Sequence, residues 1–225
     1  MTQADQASRA GQVKAILFDN DGTLVDTEAL LLASFRHATR TVLGRVIPDE
    51  KLMSKVGQPL AVQMPDFTDD EAEQQELLRV YRAYNEAAHD STVRAFDGLA
   101  DTLAELKRRG YALGVVTSKL HALCERGLHV CGIADYFDFV VGADDWPEYK
   151  PNPGPIVHGC DVIGFAAAEC AYVGDSPFDM QASNGAGTMS VAVLWGMFDA
   201  EVLEAEHPAA LCDAPADLLE IFAGC

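Results

Sequence analysis

The sequence predicts an α/β fold, a doubly wound parallel sheet with an α-helical block inserted after its first strand. Three observations predict it. The apolar segment Ala15-Ile16-Leu17-Phe18 runs straight into carboxylates at Asp19 and Asp21, the form of a buried strand with acids at its C-terminal tip. From Asp97 onward, helix-forming and strand-forming segments alternate, which calls for parallel strands covered on both faces. Between Thr27 and Thr92 no convincing strand pattern occurs, so that stretch reads as helical and as sitting over the first strand.

In chain order, Thr27 to Gly44 is rich in Leu and Ala and stops at a glycine, a helix with a C-terminal stop. Pro48 to Gln63 holds Gly57 and Pro59 and reads as a shorter helix or a loop. Thr68-Asp69-Asp70-Glu71 places capping side chains and acids at the positive end of a helix that runs through Leu77 and Tyr81 to about Asp90. Asp97 to Arg109 is expected to be a helix capped by Asp97 and closed by Gly110, leading into a strand over Tyr111 to Thr117. Then follow a helix over Lys119 to Val130, a strand over Phe137 to Val141, a helix over Pro155 to Ile163 and a strand over Cys170 to Val173. A short helix over Phe178 to Asn184, a strand over Met189 to Leu194, an edge strand at Leu211-Cys212 and a helix over Pro215 to Phe222 complete the pattern. The expected organisation is therefore a core of residues 12–26 and 92–225, an insertion over 27–91 and a flexible N-terminus over 1–11.

The chain has 35 Asp and Glu against 16 Lys and Arg, a formal net charge of -19. Such a chain is repelled by phosphate backbones and anionic lipid, so neither a nucleic acid nor a membrane is expected as a partner. A small anionic substrate remains compatible, because screening over roughly 8 Å lets a few local cations outweigh distant acids. Met1 to Gln12 lacks the apolar core of a signal peptide or membrane span, so the expected location is the cytoplasm. Cys124, Cys131, Cys160, Cys170, Cys212 and Cys225 show no metal-ligand spacing and read as reduced thiols.

In an open α/β sheet, the residues after the strands meet along one edge. Here that edge would collect Asp19 and Asp21, then Thr117 and Ser118, then Lys150 in Glu148-Tyr149-Lys150-Pro151, then Gly174-Asp175-Ser176 with Asp179. Carboxylates this close stay ionised in a desolvated site only with a cation nearby, and a strand-tip aspartate is a candidate nucleophile. Each piece has a plainer alternative. Asp-Asn-Asp-Gly is also a surface turn, Thr-Ser also a helix cap, and Lys-Pro also a solvated loop.

These four segments, in this order, resemble the motifs of the haloacid dehalogenase superfamily: Asp19-Asn20-Asp21-Gly22-Thr23, Val115-Val116-Thr117-Ser118, Lys150-Pro151-Asn152-Pro153, and Val173-Gly174-Asp175-Ser176 with Asp179. The resemblance implies a Rossmann-like core with the insertion as a helical cap domain, and a phosphatase acting through an aspartyl-phosphate. By that resemblance Asp19 is the nucleophile and Asp21 the general acid and base. Gly22, Thr117, the Ser118 N–H and Lys150 serve the phosphoryl group. A magnesium ion (Mg2+) is held by Asp19, the Asp21 backbone carbonyl and Asp175, with Asp179 supporting that shell. Two stretches of the insertion, Gly57-Gln58-Pro59-Leu60 and Tyr81-Arg82-Ala83-Tyr84-Asn85 with His89-Asp90, are similar to phosphoglycolate phosphatases and related pyrophosphatases. The implied substrate is a small phosphorylated metabolite, phosphoglycolate-like or pyrophosphate, handled by a monomer or homodimer.

Two departures from the family pattern stand out. Asn20 replaces an apolar residue and is expected to be less buried or to find a local partner, and Asn152 stands where many relatives have Asp. The acid at Asp21 argues against dehalogenation, which needs no general acid. Sugar-phosphate mutases carry a histidine after the first motif, and Thr27-Glu28-Ala29-Leu30-Leu31 has none, which ranks that reading second. A phosphoryl-receiver or binding module is the reading from another class. Arg45, Lys51, Lys55 and Arg94 are the candidate cations for a second anionic group.

Overall fold

Alternation of buried side chains along short apolar strands builds the core of the fold. The computed structural model describes residues 10–223; the expected flexible segment up to residue 9 and Cys225 lie outside the described residues. Six parallel strands form one sheet in the order β5-β4-β1-β6-β7-β8, namely Phe139–Val141, Ala112–Val116, Ala15–Phe18, Cys170–Gly174, Met189–Val193 and Ala210–Cys212. Phe18 lies beside Val115 on one side and Val173 on the other. β1 is thus central, and the chain leaves it in opposite directions across the sheet, which opens a crevice at its C-terminal end.

Along β1, Ile16 and Phe18 enter one apolar layer while Ala15 and Leu17 enter the other, the two-residue period of a strand covered on both faces. α5 (Leu99–Arg108) and α6 (His121–Val130) pack on the first face through Leu103, Leu106, Cys124 and Leu128. α7 (Gly154–Ile163) and α8 (Pro177–Ala186) pack on the second through Ile156, Cys160 and Ala182. Five of the six cysteines are described, all as free thiols.

The stretch between β1 and β4 contains α1 (Glu28–Leu43), α2 (Asp49–Met53), α3 (Leu60–Gln63) and α4 (Glu71–Thr92), flanked by the short antiparallel strands β2 (Val25–Asp26) and β3 (Arg94–Ala95). That two-stranded ribbon was not expected from sequence. Each strand is two residues long, too short to show a period. α1 stops at Gly44 with φ +64°, and Asp70 caps α4 by accepting the N–H groups of Ala72 at 2.8 Å and Glu73 at 3.3 Å. The helices share their own apolar cluster, in which Phe35 meets Tyr81 edge-on with ring centroids 4.7 Å apart.

Several boundaries differ from expectation for local reasons. Asp97 does not cap α5. Gly98 occupies that position at φ +79°, so the chain turns there and leaves Asp97 exposed. α6 begins at His121 rather than Lys119, because Ala143 N–H bonds the Lys119 carbonyl at 2.8 Å and Asp144 takes the His121 N–H at 2.8 Å. Phe137 precedes β5 and packs edge-on against Phe18. Helix α9 (Ala200–Glu204) had no sequence signal read for it, and the last helix is reduced to α10 (Leu218–Ile221) behind a 3-10 turn.

Phe35→Ala is expected to cost about 3–5 kcal/mol and Asp70→Ala about 1 kcal/mol, read from urea denaturation midpoints at constant slope. Equal losses would mean that the aromatic cluster does not hold the helical block together.

Candidate active site

The backbone just beyond β1 carries the first two acids. Asp19 N–H continues the ladder to the Val173 carbonyl at 2.9 Å, which aims its side chain out of the sheet edge. The Asn20 carbonyl then gathers the N–H groups of Leu24 and Val25, both at 2.9 Å, closing a tight turn around Gly22 at φ +78°. A Cβ on Gly22 would overlap the Asp175 carboxylate. Only a bare backbone permits that approach, and it carries an αL geometry that side chains resist. Asn20 is fully buried and its side-chain amide reaches Asp21 at 3.1 Å, so the local partner exists and the loss of burial does not.

Asp175 follows β6 and is fixed by Thr23 Oγ1 at 3.1 Å and Met197 N–H at 2.8 Å. Asp179, in the first turn of α8, has both oxygens occupied. Oδ2 accepts from Ser176 N at 3.0 Å and Oγ at 2.6 Å, while Oδ1 accepts from Lys150 Nζ at 2.6 Å. Lys150, buried in the loop between β5 and α7, also donates to the Tyr172 hydroxyl at 2.9 Å and lies 3.1 Å from Asp19 Oδ1. Tyr172 passes its own proton to the Val116 carbonyl at 2.7 Å, tying this network to the middle of the sheet. Asn152 accepts the Gly154 N–H at 2.9 Å at the start of α7, so amide in place of acid still serves that helix end.

The charges do not balance. Asp19, Asp175 and Asp179 each offer an oxygen within 4.8 Å of the others, all buried, and Lys150 is the cation that touches them. Burial pushes the Asp19 carboxyl up to about 6; Lys150 opposes this, and Asp179 and Asp21 add to it. Burial, then Asp179 and Asp19, raise Asp175 well above the ordinary carboxylate range. Burial works against the charge on Lys150, yet Asp179 and Asp19 hold its affinity for the proton above the usual value. Asp19 Oδ1 accepts no hydrogen bond of good geometry among the described residues. Crowded, desolvated oxygen donors with one left over suit a hard divalent cation. Asp19 and Asp175 have room for it, and Asp179 is saturated and positions its neighbours.

Asp21 turns away from this cluster toward a cavity of about 440 Å³, where its carboxylate meets Lys119 Nζ at 2.7 Å. Asp19, Thr117 and Ser118 share the floor of that cavity, and the Ser118 hydroxyl is buried without a partner among the described residues. Gly57, Gln58, Tyr81 and Asn85 of the helical block form part of its walls. All eight residues singled out from sequence, Asp19, Asp21, Gly22, Thr117, Ser118, Lys150, Asp175 and Asp179, therefore lie at one edge of the sheet. The four candidate cations do not join them. Arg45 bonds the Phe67 carbonyl, Lys55 pairs with Asp66, Arg94 bonds backbone carbonyls, and none of these nor Lys51 lines the cavity. Lys119, Tyr172 and Thr23 were missed as partners. Lys119 adjoins Thr117-Ser118, the one signal that could have marked it, whereas Tyr172 reads in sequence as an apolar strand residue.

Because the Asp19 carboxyl is held near 6 rather than its ordinary 3.8, it favours the fold only while protonated; that contribution is complete below pH 3.8 and is lost as pH rises through about 6. With chelator present, the wild-type melting temperature is expected to fall across this window more than that of Asp19→Asn, and added Mg2+ at pH 7 should restore part of the loss. Parallel pH curves for the two proteins would contradict the assignment of strain to Asp19.

Residues 16–193 match the family model described as haloacid dehalogenase-like hydrolase. Pyrophosphatase PpaX of Bacillus velezensis is 37% identical over 210 residues, covering 93% of this chain and 96% of that protein. Pyrophosphatase PpaX of Bacillus cereus is 33% identical, covering 94% and 97%. Among solved structures, a "predicted phosphoglycolate phosphatase" from Haemophilus somnus superposes with a TM-score of 0.86 at 29% identity, covering 93% of this chain and 98% of that one. Family model and relatives run through all four segments that meet at the sheet edge, and the chain belongs to the haloacid dehalogenase-like hydrolases.

Proposed function

We propose that the protein is a magnesium-dependent phosphatase that hydrolyses a small phosphorylated metabolite, phosphoglycolate-like or pyrophosphate, through an aspartyl-phosphate on Asp19. One observation carries this reading: a buried Asp19 oxygen that accepts no hydrogen bond of good geometry lines a cavity beside Asp175, 3.1 Å from the Lys150 ammonium. The names of the relatives, a pyrophosphatase and a phosphoglycolate phosphatase, support the same chemistry.

Asp19 attacks phosphorus in line; the new bond joins its oxygen to phosphorus and the bond to the leaving oxygen breaks. Asp21 supplies the proton that the leaving oxygen takes up, then removes one from the water that attacks phosphorus in the phosphoenzyme, as the Asp19 oxygen–phosphorus bond breaks and frees the carboxylate and inorganic phosphate. Thr117, the Ser118 N–H and Lys150 hold the phosphoryl oxygens while charge redistributes among them. Asp19, the Asp21 carbonyl and Asp175 would hold Mg2+, which would supply charge neutralisation and Lewis-acid polarisation of the phosphoryl group there. Asp179 keeps Lys150 in place, and Gly22 gives the transferring group and Asp175 room. The helical block acts as a cap that shuts water out and reads the leaving group. The acidic surface suits a cytoplasmic monomer or homodimer without nucleic-acid or membrane partners, and no helix among the described residues is long and apolar enough to cross a membrane.

The test is phosphate release with and without Mg2+ from pyrophosphate, phosphoglycolate, hexose phosphates, nucleoside monophosphates and an aryl phosphate. Release from pyrophosphate or phosphoglycolate that stops with chelator is expected. Asp19→Asn should lower it on the order of a thousandfold or more with an unchanged circular-dichroism spectrum, and near-wild-type turnover in that variant would exclude covalent catalysis. Asp21→Asn should slow phosphoenzyme breakdown about 10²- to 10⁴-fold, seen as accumulation of acid-stable label in a quenched-flow experiment; rapid turnover of a poor leaving group would remove Asp21 from its role.

A further inference from the structure

We infer that Lys119 selects substrates whose leaving group carries its own negative charge close to the scissile bond, a phosphate or a carboxylate, by binding that charge beside Asp21. This rests on the proposed phosphatase reading and deepens it.

Lys119 is held out of the helix that follows it. The Ala143 N–H bonds its carbonyl at 2.8 Å, its own N–H is drawn back to Thr117 Oγ1 at 3.3 Å, and α6 starts two residues later. From that bend its side chain lines the cavity instead of reaching into solvent, with 6% exposure, and its ammonium ends 2.7 Å from Asp21 Oδ1. An ammonium has three N–H donors. Asp21 uses one, and no other acceptor for Lys119 occurs among the described residues. A buried cation with spare donors that faces a cavity is built to receive an anion.

The other lysine of the site is more heavily engaged, because Lys150 bonds Asp179 and Tyr172 and lies 3.1 Å from Asp19. The two lysines therefore divide the substrate between them. Lys150 stands on the Asp19 side, where the transferred phosphoryl group sits. Lys119 stands one hydrogen bond beyond Asp21, on the side where the leaving oxygen departs. Lys119 makes no covalent bond.

The remaining cavity wall favours this assignment. Leu31, Phe35, Val56, Leu60 and Leu123 line it with apolar surface. Such walls limit the screening of the Lys119 charge by water. Charged groups also reach the rim: Arg82 and Arg126 favour an anion, while Glu86 and Asp144 oppose it. Arg126 is tied to Asp90 at 2.8 Å and both arginines are exposed, so the buried lysine dominates near the reacting atoms.

The test compares wild type, Lys119→Met and Lys119→Arg on pyrophosphate, phosphoglycolate and p-nitrophenyl phosphate at saturating Mg2+. The ratio of kcat/KM for either anionic-leaving-group substrate to that for the aryl phosphate is expected to fall on the order of 10- to 100-fold in Lys119→Met, chiefly through KM. Lys119→Arg should recover most of it. A uniform fall on all three substrates, or an unchanged ratio, would reduce Lys119 to a support for Asp21 and overturn the inference while leaving the phosphatase reading intact. Binding separates the two readings further. In an Asp19→Asn background, adding Lys119→Met should weaken pyrophosphate in calorimetry about as much as the kinetic ratio fell, with inorganic phosphate far less affected. Equal weakening of both overturns the inference, whereas turnover by Asp19→Asn itself overturns the phosphatase reading.

Discussion

Three buried carboxylates share one ammonium at the end of the central strand, and the rest of the structure depends on tolerating that imbalance. Removing charge from water is costly, and like charges held close add to the cost. The cluster survives because every acid but one oxygen of Asp19 is pinned: Asp175 by Thr23 and Met197, Asp179 by Ser176 and Lys150. Lys150 is pinned in turn by Tyr172, whose hydroxyl reaches the Val116 carbonyl inside the sheet. This edge is thereby anchored to the middle of the sheet.

Close packing of backbone makes this possible. Gly22, Gly174 and Gly196 stand where any side chain would collide with Asp175 or Asp179. Three segments far apart in sequence thus press bare backbone against two acids. The result is a rigid constellation whose remaining freedom lies on the cavity side, where Asp21, Lys119 and the Ser118 hydroxyl face the helical block. That block has its own aromatic core around Phe35 and Tyr81, and the same two residues also line the cavity. Stability of the insertion and shape of the binding space are set by shared side chains. Gly57 extends this coupling, since a Cβ there would come within 2.9 Å of Ser176 Oγ, the hydroxyl that holds Asp179.

A chain with formal charge of -19 gathers positive charge at this edge only through local arrangement. The four surface cations picked out from sequence are spent on carbonyls and carboxylates elsewhere or lie off the cavity, and two lysines in low-exposure positions supply the positive field. Proximity and desolvation outweigh the count of charges, as expected where screening extends only about 8 Å.

The order of strands and helices was legible because burial on both faces imposes apolar runs on β1, β4, β6 and β7, and because acids and Thr-Ser fall right after such runs, with Lys-Pro in the loop beyond β5. Seven of the eight candidate residues followed from that placement, and the family resemblance added Gly22 and the role of each. What remained hidden has a common cause: it depends on groups distant in sequence. Gly98 rather than Asp97 begins α5, the ribbon of β2 and β3 is too short to carry a period, and Lys119 leaves its helix only because residues 143 and 144 hold its loop. The sequence by itself determined the family, the sheet and which residue types fall at its edge, since periodicity and residue type are local properties. Only the tertiary structure decided which cations face the substrate and which acids stay crowded, since those outcomes depend on distances between segments that the chain order does not record.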